Sequence, residues 1–223
     1  DEDNDGVGDL CDNVNFTSLP CENGFAGVYP CDGFDLIGYL SLDELSIGTV
    51  TGNLSGNDSW GWTDPEDGKE YALVGLSSHT AFVDMSDPDN LRLVGVLPTA
   101  TVNSSWRDIK VYQNYAFIVS EASGHGMQVF DLTRLRNIDN TSVIFDTDAH
   151  FTEFGRAHNI VINEDSGYAY IVGAGGTPFG GGPLFINIQN PTAPILEGGF
   201  GEGGYSHDAQ VVSYDGPDSD YVG

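Results

Sequence analysis

The sequence predicts an all-β chain, a β-propeller of four-stranded antiparallel blades of which part is present, and three observations predict it. Its apolar runs are four to eight residues long, rich in β-branched and aromatic side chains and bounded by Gly, Pro, Asn and Asp, and no long 3.6-residue periodicity crosses them. A strand opening on tyrosine recurs, as YALVGLS from Tyr71, YAFIVSE from Tyr115, YAYIVGA from Tyr168 and a shortened DYVG at Tyr221. The recurrence, every 44 to 53 residues, is the length of one blade.

The elements follow in order. Residues 34 to 42, FDLIGYLSL, read as a fourth strand with no blade before it, one that could close a ring by joining the last blade. The blades are expected over residues 53–223, about three and the start of a fourth. Each tyrosine-led strand is preceded by a short strand, in WRDIKVYQ, AHNIVINE and HDAQVVSYD, with Trp60 and Gly61 holding the equivalent places in the first unit. Each is followed by a third strand, in TAFVDMSDP, MQVFDLTRL and PLFINIQNP, and then by a fourth, in RLVGVLP, SVIFD and ILEGGF. The turns Ser86-Asp87-Pro88-Asp89-Asn90 and Gln189-Asn190-Pro191 use residues that preset or tolerate tight reversals. GAGGTPFGGG, residues 173 to 182, lacks the lysine and the strand-to-helix setting of a phosphate cradle and reads as a loop between two blade strands. Because a propeller needs about four to eight blades, the sequence is expected to be part of a longer protein.

Composition narrows the function classes. With 7 Lys and Arg against 34 Asp and Glu, the net charge of -27 repels phosphate backbones and anionic lipid, so nucleic acid is excluded as a partner. No run approaches the roughly 20 apolar residues of a membrane span, and no signal peptide precedes residue 1. Cys21 and Cys31 flank CENGFAGVYPC. In an oxidising compartment they would close a small loop, residues 21–52 then being a disulfide loop with the ring-closing strand; the alternative, zinc ligation, lacks a nearby histidine to complete a tetrahedral set. Five sequons, at Asn15, Asn53, Asn57, Asn103 and Asn140, fit a secreted and glycosylated chain.

The first residues, DEDNDGVGDLCD, carry six acidic side chains in twelve. Either they form a solvated acidic linker or a calcium loop. Asp1, Asp3 and Asp5 alternate, Gly6 stands where such a loop turns, Val7 offers a carbonyl, and Asp9 and Asp12 add carboxylates. The pattern DxDxDGxGDxCD resembles a thrombospondin type 3 repeat, an extracellular calcium-binding module, and the resemblance implies Ca2+ at residues 1–20 and a stiff junction. Cys11 departs from that pattern, since no second cysteine follows two residues on.

The blocks SWGWTDPEDGKEYALVGLSSHTAFVDMSDP, SSWRDIKVYQNYAFIVSEASGHGMQVFDLTRLRN, AHNIVINEDSGYAY and YSHDAQVVSYDGPDSDY, in that order, resemble the choice-of-anchor B family of secreted bacterial proteins with LVIVD-type propeller repeats. The resemblance implies an extracellular or surface-anchored propeller and no particular reaction. Chemistry on it would come from the in-register pairs Arg107-Asp108, His158-Asn159 and His207-Asp208, which would face one mouth of the channel. His158, His207 and Asp208 could hold a transition metal; the other reading has these polar groups bonding between blades. His125 and His150 would lie in loops. No GxSxG, HExxH or P-loop pattern is present. Trp60, Trp62 and Trp106 could stack on sugars or pack between blades. The expected function is that of a non-catalytic, secreted, calcium-binding propeller in cell-surface adhesion, matrix or extracellular filament assembly, with extracellular proteins, glycans or further copies of itself as partners. A metal-dependent hydrolase, lyase or oxidoreductase using the mouth, and a carbohydrate-binding module, are the alternatives.

Overall fold

In the computed structural model, which describes residues 18–48, 54–139 and 141–221, the chain is all-β. Short strands rich in Val, Ile, Phe and Tyr alternate with turns, and the described residues contain two 3₁₀ turns and no α-helix. A hairpin of β1 (Phe25–Ala26) and β2 (Tyr29–Pro30) is closed by the Cys21–Cys31 disulfide, with 5.9 Å between the Cα atoms.

Three larger sheets follow. The first joins β3 (Gly56–Thr63), β4 (Glu70–Leu76), β5 (His79–Asp84) and β6 (Arg92–Pro98) as an antiparallel meander. The second joins β7 (Arg107–Tyr112), β8 (Tyr115–Ser120) and β9 (Met127–Asp131), and the third joins β12 (Asn159–Asn163), β13 (Tyr168–Val172), β14 (Leu184–Asn187) and β15 (Ile195–Gly199). Between the second and third come β10 (Val143–Ile144) and β11 (Ala149–Phe151). The tyrosine-led strands at Tyr71, Tyr115 and Tyr168 therefore fall at the same place in successive sheets, each second in its meander.

The second sheet is sandwiched. Leu73, Phe82, Val94 and Leu97 of the first sheet meet Ile109, Ile118 and Phe130 of the second. Phe117, Val119, Met127 and Val129 meet Ile160, Ile171, Leu184 and Ile186 of the third. Alternation along each strand sends successive side chains to opposite neighbours, so one strand feeds both cores.

Four expectations change. SVIFD does not supply the fourth strand of the second sheet. Its β10 runs parallel to β6, with Val143 opposite Gly95, and β11 takes the outer place beside β9 instead. The cause is Phe145, which packs 4.9 Å from Phe130 and edge-on to Phe82, over a glycine whose added Cβ would strike it. FDLIGYLSL is not a strand. The backbone N–H and hydroxyl of Ser41 bond Glu44 Oε2 at 2.7 and 2.8 Å and start a turn, and Leu40, Leu45 and Ile47 then pack on the outer face of the first sheet. HDAQVVSYD carries no strand, and Ser219–Tyr221 is a 3₁₀ turn.

Candidate functional site

The site lies where the first strands of the three sheets, β3, β7 and β12, come side by side. β3 carries a bulge in which Asn57 and Asp58 together oppose the single residue Gly75 of β4. A bulge re-aims its side chains, and here both turn to the next sheet: Asn57 Oδ1 accepts from the Arg107 N–H at 2.8 Å and Asp58 Oδ2 from the Ile109 N–H at 3.0 Å. One sheet further, Asp108 Oδ2 accepts from the Ile160 N–H at 2.7 Å. The same rung is thus made twice, by a carboxylate on the first strand of one sheet to the backbone of the next.

The register explains the equivalence. Asp108 lies opposite Val119 and Asn159 opposite Val172, each the fifth residue of a tyrosine-led strand, as Gly75 is. Asn57 and Asp58, not Trp60 and Gly61, therefore hold the place of Arg107 and Asp108 in the first sheet. Asn159 Oδ1 is in the position of a third rung and has no partner.

Lys110 ties the two carboxylates. Its Nζ is 2.8 Å from Asp108 Oδ1, 3.5 Å from Asp58 Oδ2, and 4.5 Å above the Trp60 ring. Burial, and then the neighbouring Asp58 carboxyl, push Asp108 up to about 6. Burial also opposes ionisation of Asp58, but the Asp108 side chain, the Ile109 N–H and Lys110 outweigh it and hold its carboxyl below the ordinary value.

A cavity of about 380 Å³ opens here, lined by Asn57, Asp58, Trp106, Asp108, His158, Asn159 and His207. His158 and His207 have ring centroids 4.2 Å apart, and His158 Nδ1 donates to Glu121 Oε1 at 2.7 Å, which places the lone pair of the neutral ring on Nε2. Half-exposed Trp106 is 6.1 Å from the His158 ring. The structure thus brings together His158 and His207, two of the four histidines named from the sequence. Asp208 is exposed, and its Oδ1 accepts from its own neighbour, the Ala209 N–H. Among the described residues no group of three or more His, Cys, Asp or Glu is arranged to hold a metal ion.

The remaining predicted residues are dispersed. Arg107 does not reach the cavity; it is buried in the seam between the first and second sheets, where its Nη1 donates to His125 Nε2 at 3.1 Å. His125 is fully buried, its Nδ1–H donating to the Gly126 carbonyl, while His150 lies on β11 and donates to the His125 carbonyl at 2.7 Å. Burial, followed by the Arg107 guanidinium, pulls His125 down to about 4. Trp62 is buried against Tyr71, at 5.4 Å. Asn103 is exposed in the β6–β7 loop. Asp1, Asp3, Asp5, Val7, Asp9, Asp12, Cys11, Asn15, Asn53 and Asn140 lie outside the described residues.

Gly126 sets the depth of His125. It has φ 61°, and an added Cβ would strike the Phe151 carbonyl of β11. Gly126→Ala is expected to destabilise the protein by about 3 kcal/mol, from left-handed strain plus the collision, measured by denaturant titration against wild type.

No helix of the described residues is long and apolar enough to cross a membrane. Comparison with protein-family models, curated proteins and solved structures gave no match.

Proposed function

We propose that the chain is a secreted, non-catalytic, calcium-binding β-propeller protein of the choice-of-anchor B type, acting in cell-surface adhesion, matrix or extracellular filament assembly. In this reading the three sheets are blades about a common axis. Asp1, Asp3, Asp5, Val7, Asp9 and Asp12 bind Ca2+ in a stiff N-terminal repeat. The observation that carries the non-catalytic reading is the pair of rungs, Asp58 to Ile109 and Asp108 to Ile160. They engage the carboxylates of the mouth in joining one blade to the next. The Cys21–Cys31 disulfide supports an oxidising, extracellular setting. An acidic mouth beside half-exposed Trp106 suits a neutral or cationic glycan or a basic protein segment.

A second reading, a metal-dependent enzyme, is favoured by one observation, the approach of His158 and His207 with Glu121 fixing the first ring. One experiment separates the two. The purified protein is analysed for bound Zn, Fe and Cu, and screened against glycans and for self-association with and without calcium. Calcium-dependent association or glycan binding, with no stoichiometric transition metal, is expected. A transition metal bound at one per chain and lost in His158→Ala and His207→Ala overturns the non-catalytic reading.

A further inference from the structure

Four buried side-chain atoms of the described residues have no hydrogen-bond partner, and three of them, Thr80 Oγ1, Arg107 Nη2 and Gln128 Oε1, belong to residues of the seam between the first and second sheets. The strand register places Thr80 and Arg107 together. Thr80 is the cross-strand partner of Gly75, so its side chain leaves the sheet on the same face as the missing Cβ of Gly75. That direction meets Arg107 Cγ at 3.4 Å, and the Arg107 Nε–H donates to the adjoining Leu76 carbonyl at 3.0 Å. From the other side His125 accepts from Nη1, and Gln128 reaches across to donate to the Pro98 carbonyl at 3.0 Å.

What sets Arg107 apart is a buried charge. Lys69, Arg92, Lys110, Arg134 and Arg136 each face a carboxylate, and Arg156, which has no ion pair among the described residues, is exposed to water. Arg107 is 1% exposed, yet no carboxylate of the described residues is within ion-pair distance, in a chain with 34 Asp and Glu. Its two bonded acceptors, a carbonyl and an imidazole nitrogen, are neutral. A guanidinium withdrawn from water without a counter-charge is costly by several kcal/mol. A buried water would accept from Nη2 but would leave the charge.

We propose that the seam binds a small monovalent anion, chloride being the plainest, held by Arg107 Nη2 and the Thr80 hydroxyl. Both groups donate, and they come from different sheets, so the ion fastens the first sheet to the second. Gln128 Oε1 needs a donor, which an anion cannot offer, so the ion is assigned to the Arg107 and Thr80 side alone. The anion has a structural role, separate from the mouth, and the assignment stands whether or not the mouth binds metal.

The test is thermal unfolding of the intact protein in sodium chloride or bromide against sodium gluconate at equal ionic strength, with crystals grown in bromide for anomalous scattering. The halide is expected to raise Tm by about 5 °C or more at saturation, with a bromide peak in hydrogen-bonding reach of Arg107 Nη2. Thr80→Val keeps the guanidinium and is expected to need several-fold more halide for the same shift. Arg107→Met is expected to lose the halide dependence altogether. Equal melting in both salts, or an ordered water alone at Nη2, overturns the proposal.

Discussion

Asp108→Ala is expected to lower stability by about 2 kcal/mol at pH 7 and by more as the pH falls. The substitution removes the acceptor of the buried Ile160 N–H and the nearer of the two carboxylates on Lys110. A buried N–H left unsatisfied costs about 1 to 3 kcal/mol on its own. Relief works against this at pH 7, because burial and the Asp58 carboxyl make the ionised Asp108 unfavourable in the folded protein. Once Asp108 of the wild type takes up its proton that relief disappears and the difference widens. Asp108→Asn keeps an acceptor for Ile160 and is expected to lose less than half as much at pH 7. Asp208→Ala is the control: that carboxylate is exposed and, among the described residues, bonds its own neighbour alone, so its loss is expected to stay within about 0.5 kcal/mol. Denaturant midpoints of the three variants decide it, and equal midpoints for Asp108→Ala and Asp208→Ala would show that the rung carries no weight.

The same residues show how much a sequence discloses and where it stops. Tyr71, Tyr115 and Tyr168 announce three like sheets because a tyrosine-led run of alternating side chains is a local property. The Cys21–Cys31 pairing and the approach of His158 to His207 were legible for related reasons, the first from a short spacing and the second from position within a repeat. The first unit was misaligned because its bulge inserts a residue, and a bulge leaves no mark in hydrophobic pattern. Asn57 and Asp58 read as an ordinary sequon, although an acidic residue near the start of the strand that pairs with a tyrosine-led strand is a signal that Asp108 also carries. The parallel pairing of β10 depends on Gly95 admitting Phe145, a contact between residues 50 apart. The burial of Arg107 away from any carboxylate of the described residues was likewise invisible, since an arginine beside an aspartate reads as a pair until the strand's alternation sends the two to different neighbours.

Between pH 6.5 and 4 the folded protein is expected to lose less stability than its buried histidines alone would cost, because Asp108 opposes His125, and substituting either one exposes the other. His125 lies at about 4 when folded, below the ordinary histidine value, so the unfolded chain binds more protons through this window. Its contribution is complete above about 6.5 and falls away as the pH drops, by about 3 kcal/mol in all. Protonation would also remove the acceptor for Arg107 and set a second cation against it. Asp108 runs the other way: its folded value is raised to about 6, so its contribution is complete below the ordinary carboxylate value and is lost as the pH rises through 6. His79, buried beside Arg107 with its value lowered, adds to the histidine side, its Nε2–H holding the Leu45 carbonyl at 2.8 Å. Asp58, Asp64 and Asp84 lie below the ordinary carboxylate value and lose their contributions only under pH 4. Asp108→Asn is therefore expected to turn a shallow profile into one that falls steeply from pH 6.5 to 4. His125→Gln, which keeps an acceptor for Arg107 without titrating, is expected to gain stability over the same interval. Urea titrations at pH 7, 5.5 and 4.5 on the wild type and both variants read the slopes directly. Parallel slopes for wild type and Asp108→Asn would remove Asp108 as the compensating group, and an acid-labile His125→Gln would remove His125 as the opposing one.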